Sequence, residues 1–497
     1  MKIVKIIGGP GTGKTATLLN HFKEWSSKLD PRKIAYLAFT RKAAREARAR
    51  IAEELRMDPA ELECRTIHSL AFRALRLEPG SLMHSGDYAK LGKEIGLDFG
   101  KPDDDYGLHL GASEGERLAR LEQLTRVTQT DLMVLAAQFG IDQWKARHYQ
   151  DALRAYKRDK CLFDFTDMIE QFIQENPVAF PVVIIDEAQD LSPIHWRAMS
   201  ALIQQARAVY IAGDDDQAIF RWAGADVQYF INMKARHMIL PLSHRLPKQV
   251  FNLANNLARN IQQRIVKQWE STGRNGDITR IDSVDSLDCA AGSWYLLARH
   301  GYQLRAFVAF LRRNGFIYSY EGGSSAKTKY VDALILWEQL RKGKALASKI
   351  WANLLGLCHP NLFDWRRFQD LRGMAEITLG EVLQRARRDT LPPWYQALLI
   401  PKSESDYYRE CLKRFHREET GKLSDPPRIR VSTIHGVKGG EADNVVILPD
   451  LSTAAYRDYA RLGYSDNEYR VFYVAVTRAR ERLFLLNPRT AKHFVFG

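Results

Sequence analysis

The first fifteen residues constrain this chain more than any other stretch. Lys2 to Ile7 is a short apolar run with β-branched residues, the pattern of a buried strand. It runs directly into Gly8-Gly9-Pro10-Gly11-Thr12-Gly13-Lys14-Thr15, which fits G-x-x-x-x-G-K-[ST] in the strand-to-helix context a phosphate-binding loop needs. The glycines let the backbone curl until successive N–H groups face phosphate oxygens, and the helix beginning near Lys14 adds its positive end. Lys14 is placed to reach the β- and γ-phosphates, and Thr15 to put its hydroxyl on Mg²⁺.

Composition narrows the partners. At 497 residues the chain has room for three or four domains. A net charge of +14, in a chain that also carries many acids, points to a polyanionic partner. The five cysteines (Cys64, Cys161, Cys289, Cys358, Cys411) form no C-x-x-C pair and read as reduced core thiols, not as a metal site or disulfide framework. No stretch is long and apolar enough to span a bilayer, and the N-terminus reads as a core strand, not a signal peptide.

Along the chain, a helix is expected over about 15–28 and a second strand over 33–39, ending in Phe39 and Thr40. Arg41 to Arg50 has high helix propensity and a basic face. Thr66-Ile67-His68-Ser69 opens another helix. From about Arg76 to Tyr156 the texture is helical, interrupted by an acidic, glycine-bearing stretch around Asp103-Asp104-Asp105, and it reads as an inserted subdomain. The sheet resumes at Val182–Ile185, followed by Asp186 and Glu187. Two acids ending an apolar strand are the Walker B arrangement: Asp186 to support Mg²⁺, Glu187 to orient and deprotonate the attacking water. Another strand, 209–213, leads to Asp214-Asp215-Asp216-Gln217, where Gln217 can sense the γ-phosphate. Phe220 and Trp222 follow, flanking Arg221, a pattern that suits base stacking but also suits core packing.

The ordered set of motifs resembles the superfamily 1 DNA helicases of the UvrD, Rep and PcrA type. The stretches that carry the resemblance are Gly8–Thr15, Leu37–Arg50, Thr66–Phe72, Asp186–Asp190, Gly213–Asp226 and Ser243–Arg245, and later Val431–Glu441 and Tyr473–Arg480. The resemblance implies an α/β fold of two RecA-like P-loop domains with parallel sheets, each carrying an inserted, mostly helical subdomain, and ATP between the two domains. The expected divisions are 1–75 with 156–245, the insertion 76–155, then 246–344 with 428–497, and the insertion 345–427, which is basic, tryptophan-bearing (Trp351, Trp365, Trp394) and read as free of alternating strands. Carried over residue by residue, Arg245 and Arg478 reach the γ-phosphate from the far side of the cleft, Glu441 contacts the ribose, and His244 stands where a tyrosine usually stacks on adenine. Phe39, Thr40, His68, Phe220 and Trp222 line a single-strand path. The implied cofactors are ATP and Mg²⁺. The implied partners are single-stranded DNA and single-strand/duplex junctions, with no membrane, in the cytoplasm of a bacterial or phage-infected cell and at its nucleoid.

The sequence departs from that pattern in places. Ala223 stands where an arginine is usual, and Gly440-Glu441-Ala442 where Leu-Glu-Phe is usual. The usual glutamine-bearing segment ahead of the first strand is not seen before Lys2, so loose reading of the base is expected. The implied activity is ATP-dependent 3′→5′ movement on single-stranded DNA with unwinding of duplex. Two rivals remain: a translocase that displaces proteins with little unwinding, and a nucleic-acid-binding regulator with weak ATPase.

Overall fold

The computed structural model describes residues 2–99, 113–364, 375–418, 421–461 and 465–496. The acidic run Asp103–Asp105 and Trp365 lie outside the described residues. The chain forms two compact units. One comprises Met1–Asn275, Arg457–Thr477 and Phe496–Gly497; the other comprises Gly276–Tyr456 and Arg478–Val495.

In the first unit, β1 (Lys2–Ile7), β2 (Ile34–Ala38), β3 (Cys64–Arg65), β4 (Val182–Asp186), β5 (Ala208–Gly213) and β6 (Arg236–Ile239) make one parallel sheet, in the order β3-β2-β4-β5-β1-β6. Every residue of β2, β4 and β5 is buried, as expected of a parallel sheet covered on both faces. Alternation splits the strands between two cores: Val182 and Ile184 join Leu18 and Phe22 on one face, while Val183 and Ile185 join Phe172 and Trp196 on the other. The register sets Val4 beside Tyr210 and Ile184 beside Tyr210, so the carboxyl ends of β1, β4 and β5 line up.

The expected insertion is helical: Ser85–Ile95, Glu114–Thr128, Leu132–Phe139 and Gln143–Lys160 enclose their own core of Leu91, Leu118, Leu121, Ala136, Tyr149 and Leu153. An ion cluster ties it to the helix Phe165–Glu175. Arg126 meets Asp164 at 2.8 Å, Asp167 at 2.6 Å and Glu170 at 2.7 Å, and Lys157 meets Asp164 at 2.6 Å.

Residues 246–275, read from sequence with the second domain, belong to the first unit. The helix Lys248–Arg259 buries Val250, Leu253, Ala254 and Leu257, and packs on the helix Asp466–Val476, which belongs to the first unit too. A small parallel pair, β7 (Leu242–Ser243) with β8 (Glu270–Ser271), completes this region. Burial and ion pairing place these segments, and neither leaves a local pattern in the sequence.

The second unit contains β9 (Asp277–Ile281), β10 (Trp294–Ala298), β11 (Tyr318–Tyr320), β12 (Gly323–Ser324), β13 (Leu346–Ala347), β14 (Glu376–Ile377), β15 (Ile429–Thr433), β16 (Ala442–Leu448) and β17 (Ala479–Leu486). Its main sheet runs β12-β11-β15-β10-β16-β17-β9, parallel except for the β11–β12 hairpin edge. The stretch 345–427 is not strand-free: β13 and β14 pair antiparallel, with short helices around them. Two-residue strands carry no periodicity to read. Trp351 and Trp394 are buried in the same core as Leu296 and Phe310, so this insertion extends its unit's core and does not enclose a separate one. Cys161 is exposed at the end of its helix, contrary to the buried-thiol reading; the other four cysteines are buried. Among the described residues no helix is long and apolar enough to cross a membrane.

Candidate nucleotide and nucleic-acid site

The glycine loop leaves β1 and enters the helix Lys14–Ser26 through Gly13, whose φ of 85° lies in the left-handed region that favours glycine. Gly11 also has positive φ, 75°, and a Cβ there would fall 2.3 Å from the Cβ of Arg245. Two residues hold the loop from outside: the Ser243 hydroxyl donates to the Pro10 carbonyl at 2.7 Å, and the His244 amide donates to the Gly11 carbonyl at 3.0 Å. Within the loop, the Thr12 hydroxyl donates to the Gly9 carbonyl at 2.9 Å. Arg245 is therefore beside the loop on the same unit, not on a separate domain facing it, and the His244 side chain is exposed. The Lys14 ammonium donates to the Gly8 and Gly9 carbonyls at 2.8 and 3.0 Å. Burial lowers its pKa, opposed by the carboxylates of Asp214, Glu187 and Asp186.

β4 brings Asp186 to the loop. Its Oδ2 accepts from the Thr15 hydroxyl at 2.8 Å and from the Tyr36 hydroxyl at 2.9 Å. Burial, then Glu187 alongside, push the Asp186 carboxyl up. A hydroxyl and a carboxylate in contact at the foot of a phosphate loop are an all-oxygen pair, the donor set Mg²⁺ takes while keeping several waters. The residues present fit that ion. Glu187 follows at φ 54°, a left-handed conformation a non-glycine residue seldom adopts. Gln189 supports it: its amide donates to Glu187 Oε2 at 2.5 Å, and its carbonyl oxygen accepts from the Asp214 amide at 3.1 Å. Gln189 thus joins the ends of β4 and β5.

After β5 the turn Asp215–Gln217 is wholly buried. Gln217 donates to Asp214 Oδ2 at 2.7 Å. Three adjacent carboxylates out of water need counter-charges. They come from Lys267 and Arg264, which the sequence reading did not single out. Lys267, fully buried, meets Asp214 at 3.0 Å, Asp215 at 2.7 Å and Asp216 at 2.7 Å. Arg264 grips Asp216 with two bonds of 2.8 and 2.6 Å. Arg470 donates to the Asp215 carbonyl at 3.0 Å, and the Tyr473 hydroxyl lies 3.4 Å from Asp214. Trp269, two residues past Lys267, presses on the loop: a Cβ on Gly9 would fall 2.4 Å from its ring. The signal available was the acid run itself, which at the end of a buried strand demands buried cations without saying where they come from.

The same turn continues into the aromatics. Phe220 stacks with Phe39 at 5.4 Å between ring centroids, and Trp222 meets Phe220 edge-on at 6.3 Å. Trp222 is 47% exposed, with the Arg120 guanidinium 5.2 Å from its ring centroid. So Phe220 and Phe39 are half-buried and Trp222 is at the surface, which argues against a simple core pair. Thr40 caps the helix Arg41–Leu55 through its hydroxyl, 3.1 Å from the Ala43 amide. His68 is half-buried and T-stacked on His195 at 5.1 Å. Both line a cavity of about 230 Å³ with Phe39, Asp190 and Ser192. Burial pushes the imidazole of His68 down to about 4 and that of His195 to about 3.

Two expected site residues are on the second unit. Arg478 is 1% exposed and donates to the Gly440 carbonyl at 3.0 Å; Glu441 is exposed, with Arg480 3.6 Å away. Among the described residues no cluster of three or more His, Cys, Asp and Glu side chains could hold a metal by itself.

A glycine loop between a parallel strand and a helix, backed by Thr15 and Asp186, defines a P-loop nucleotide-binding protein. The model of the UvrD/REP helicase N-terminal domain matches residues 1–238, and that of the UvrD-like helicase C-terminal domain matches residues 402–489. The chain belongs to this helicase family within the ATP-binding P-loop superfamily 1. It is 22% identical to a probable DNA helicase II homolog of Mycoplasma capricolum, across 97% of this chain and 82% of that protein. It is 26% identical to the ATP-dependent DNA helicase PcrA of Leuconostoc citreum, with 55% of this chain and 39% of that protein covered. To the ATP-dependent DNA helicase Rep of Buchnera aphidicola it is 22% identical, over 62% of this chain and 51% of the relative. Against those last two the chain matches only about two fifths to half of their length.

Proposed function

We propose that this protein is an ATP-dependent DNA helicase that moves 3′→5′ on single-stranded DNA, in the cytoplasm. It would have two RecA-like domains, with helical insertions at 76–155 and 345–427. One observation carries the reading: nine consecutive residues, Asp214 to Trp222, hold both Gln217, bonded beside the phosphate loop, and the aromatic pair of half-buried Phe220 and exposed Trp222. A shift of Gln217 on hydrolysis is then a shift of the stacking surface.

In this reading the Gly8–Thr15 amides and Lys14 bind the β- and γ-phosphates. Thr15 and Asp186 hold Mg²⁺, which when bound neutralises phosphate charge. Glu187 takes the proton of the attacking water, Gln217 senses the γ-phosphate, and Arg245 and Arg478 counter the charge of the transition state. His244 and Glu441 are assigned to base and ribose. Phe39, Phe220 and Trp222 stack on bases, with Thr40 and His68 beside them. The basic surface supplies phosphate contacts, so affinity for DNA falls steeply with salt.

Unwinding of 3′-tailed, 5′-tailed and blunt duplexes in parallel tests the proposal. Strand separation restricted to the 3′-tailed substrate and dependent on ATP supports it. DNA-stimulated ATP hydrolysis without strand separation supports a translocase instead, and no stimulation at all defeats both.

A further inference from the structure

Lys267 is a fully buried charge of the first unit that takes no part in the phosphate chemistry proposed for the site. Its side chain is fully buried against Asp214, Asp215 and Asp216. The contact with Asp214 differs from the other two because Asp214 is shared. Its Oδ1 faces Lys267 at 3.0 Å and accepts from the Asp216 amide at 3.3 Å. Its Oδ2 accepts from the Gln217 side-chain amide at 2.7 Å, with the Tyr473 hydroxyl at 3.4 Å. One carboxylate therefore stands between the lysine and the sensor. Asp216 has Arg264 as a second cation, so Lys267 is not needed there alone. The segment bearing Lys267 continues through Trp269, packed on Gly9, into the β7–β8 pair beside Ser243. The segment braces the phosphate loop and the sensor turn together.

We propose that Lys267 is a positioning residue for Gln217, acting through Asp214, and so sets how fast the bound nucleotide is turned over and how far a strand on Phe220 and Trp222 alters that rate. The inference rests on the assignment of Gln217 as the γ-phosphate sensor. Asparagine at 214 is isosteric but replaces one carboxylate oxygen by a donor, so with its oxygen on Lys267 its Nδ2 faces the Gln217 amide, which must turn to keep a bond. Lys267→Met removes one of two cations facing three carboxylates and endangers folding. The pair Lys267→Met with Asp214→Asn restores the parent's charge balance.

The experiment is steady-state ATP hydrolysis, with and without an oligothymidylate, alongside thermal melting. The proteins are the parent, Gln217→Ala, Asp214→Asn, Lys267→Met and the pair. Asp214→Asn should lower kcat by about tenfold or more, with KM for ATP changed by less than about threefold. The pair should be no slower than Asp214→Asn, because both act on one link. A pair slower than Asp214→Asn by a further tenfold, or Asp214→Asn at the parent kcat while Gln217→Ala is slow, overturns the inference and leaves the proposed function standing. Gln217→Ala at the parent rate overturns the sensor assignment and the inference with it. If Lys267→Met does not fold, Asp214→Asn and the pair decide the question. A merely structural Lys267 would lower the melting temperature of Lys267→Met and leave its kcat at the parent value.

Discussion

The two parallel sheets of this chain are built alike but end differently. In the first unit the carboxyl ends of β1, β4 and β5 deliver the Gly8–Thr15 loop, Asp186 with Glu187, and the Asp214–Gln217 turn to one place. In the second unit β16 also ends near an acid, Asp450. Both of its carboxylate oxygens lie 3.1 Å from the Arg489 amide, and its carbonyl accepts from Gln303 at 2.8 Å. That acid ties loops together. Asp186, by contrast, faces Thr15 and Tyr36 at the phosphate loop, and Glu187 sits in strained backbone beside it. The insertions differ in the same sense. The first has a separate core bolted on by the Arg126 ion cluster, whereas the second merges with its unit's core through Trp351 and Trp394. Sheet architecture is shared; the loops and what they contact decide which half carries chemistry.

The sharpest way to break this contrast is paired substitution of the two strand-end acids. Glu187→Gln should slow DNA-stimulated hydrolysis by about 10²-fold or more while nucleotide binding persists, since a general base contributes about 10²–10⁴. Asp450→Asn should leave kcat at the parent value and lower only the melting temperature. Loss of turnover from Asp450→Asn would erase the distinction.

Tryptophans provide a second pairing. Trp222→Ala should weaken binding of an oligothymidylate by about 1–3 kcal/mol, the cost of one base stack, with the melting temperature kept. Trp394, 5% exposed in the second unit, should do the reverse: Trp394→Ala costs about 3–5 kcal/mol of stability. Fluorescence anisotropy and thermal melting separate the two. Equal losses of stability would return Trp222 to the core.

Acid should discriminate the units more gently. His68 and His195 have folded values near 4 and 3, below the ordinary value of about 6.5, because burial disfavours their charged forms. The unfolded chain binds more protons between those values, so stability falls as pH drops from about 6.5 towards 4. The second unit has His300, also near 4 through burial and Arg299. The first unit should lose more, and replacing His68 and His195 together by Gln should flatten its melting curve against pH. An unchanged slope would mean that other groups set it.

The smallest effect concerns the nucleotide base. The His244 side chain is exposed while its amide is spent on Gly11, so phosphates should dominate affinity. ATP and GTP should differ in kcat/KM by less than about tenfold, or 1.4 kcal/mol. A hundredfold preference would show a base reader elsewhere in the chain.

Local pattern alone determined the phosphate loop, the buried strands around Val182–Ile185 and 209–213, the helical texture of 76–155, and the candidates Lys14, Thr15, Asp186, Glu187, Gln217 and Trp222. These are legible because strand periodicity, loop glycines and strand-end acids act over a few residues. Tertiary structure decided the rest. It decided that Lys267 and Arg264 neutralise the acid run, that Gln189 links β4 to β5, that Trp269 backs Gly9, and that residues 246–275 and 457–477 pack with the first unit. It also decided that Phe220 is half-buried while Trp222 is exposed, though both are aromatic and two residues apart. The physical reason is range. A buried charge needs its counter-charge within hydrogen-bond reach in space, and Lys267 finds Asp214 across more than fifty residues of chain, a separation over which no sequence period survives.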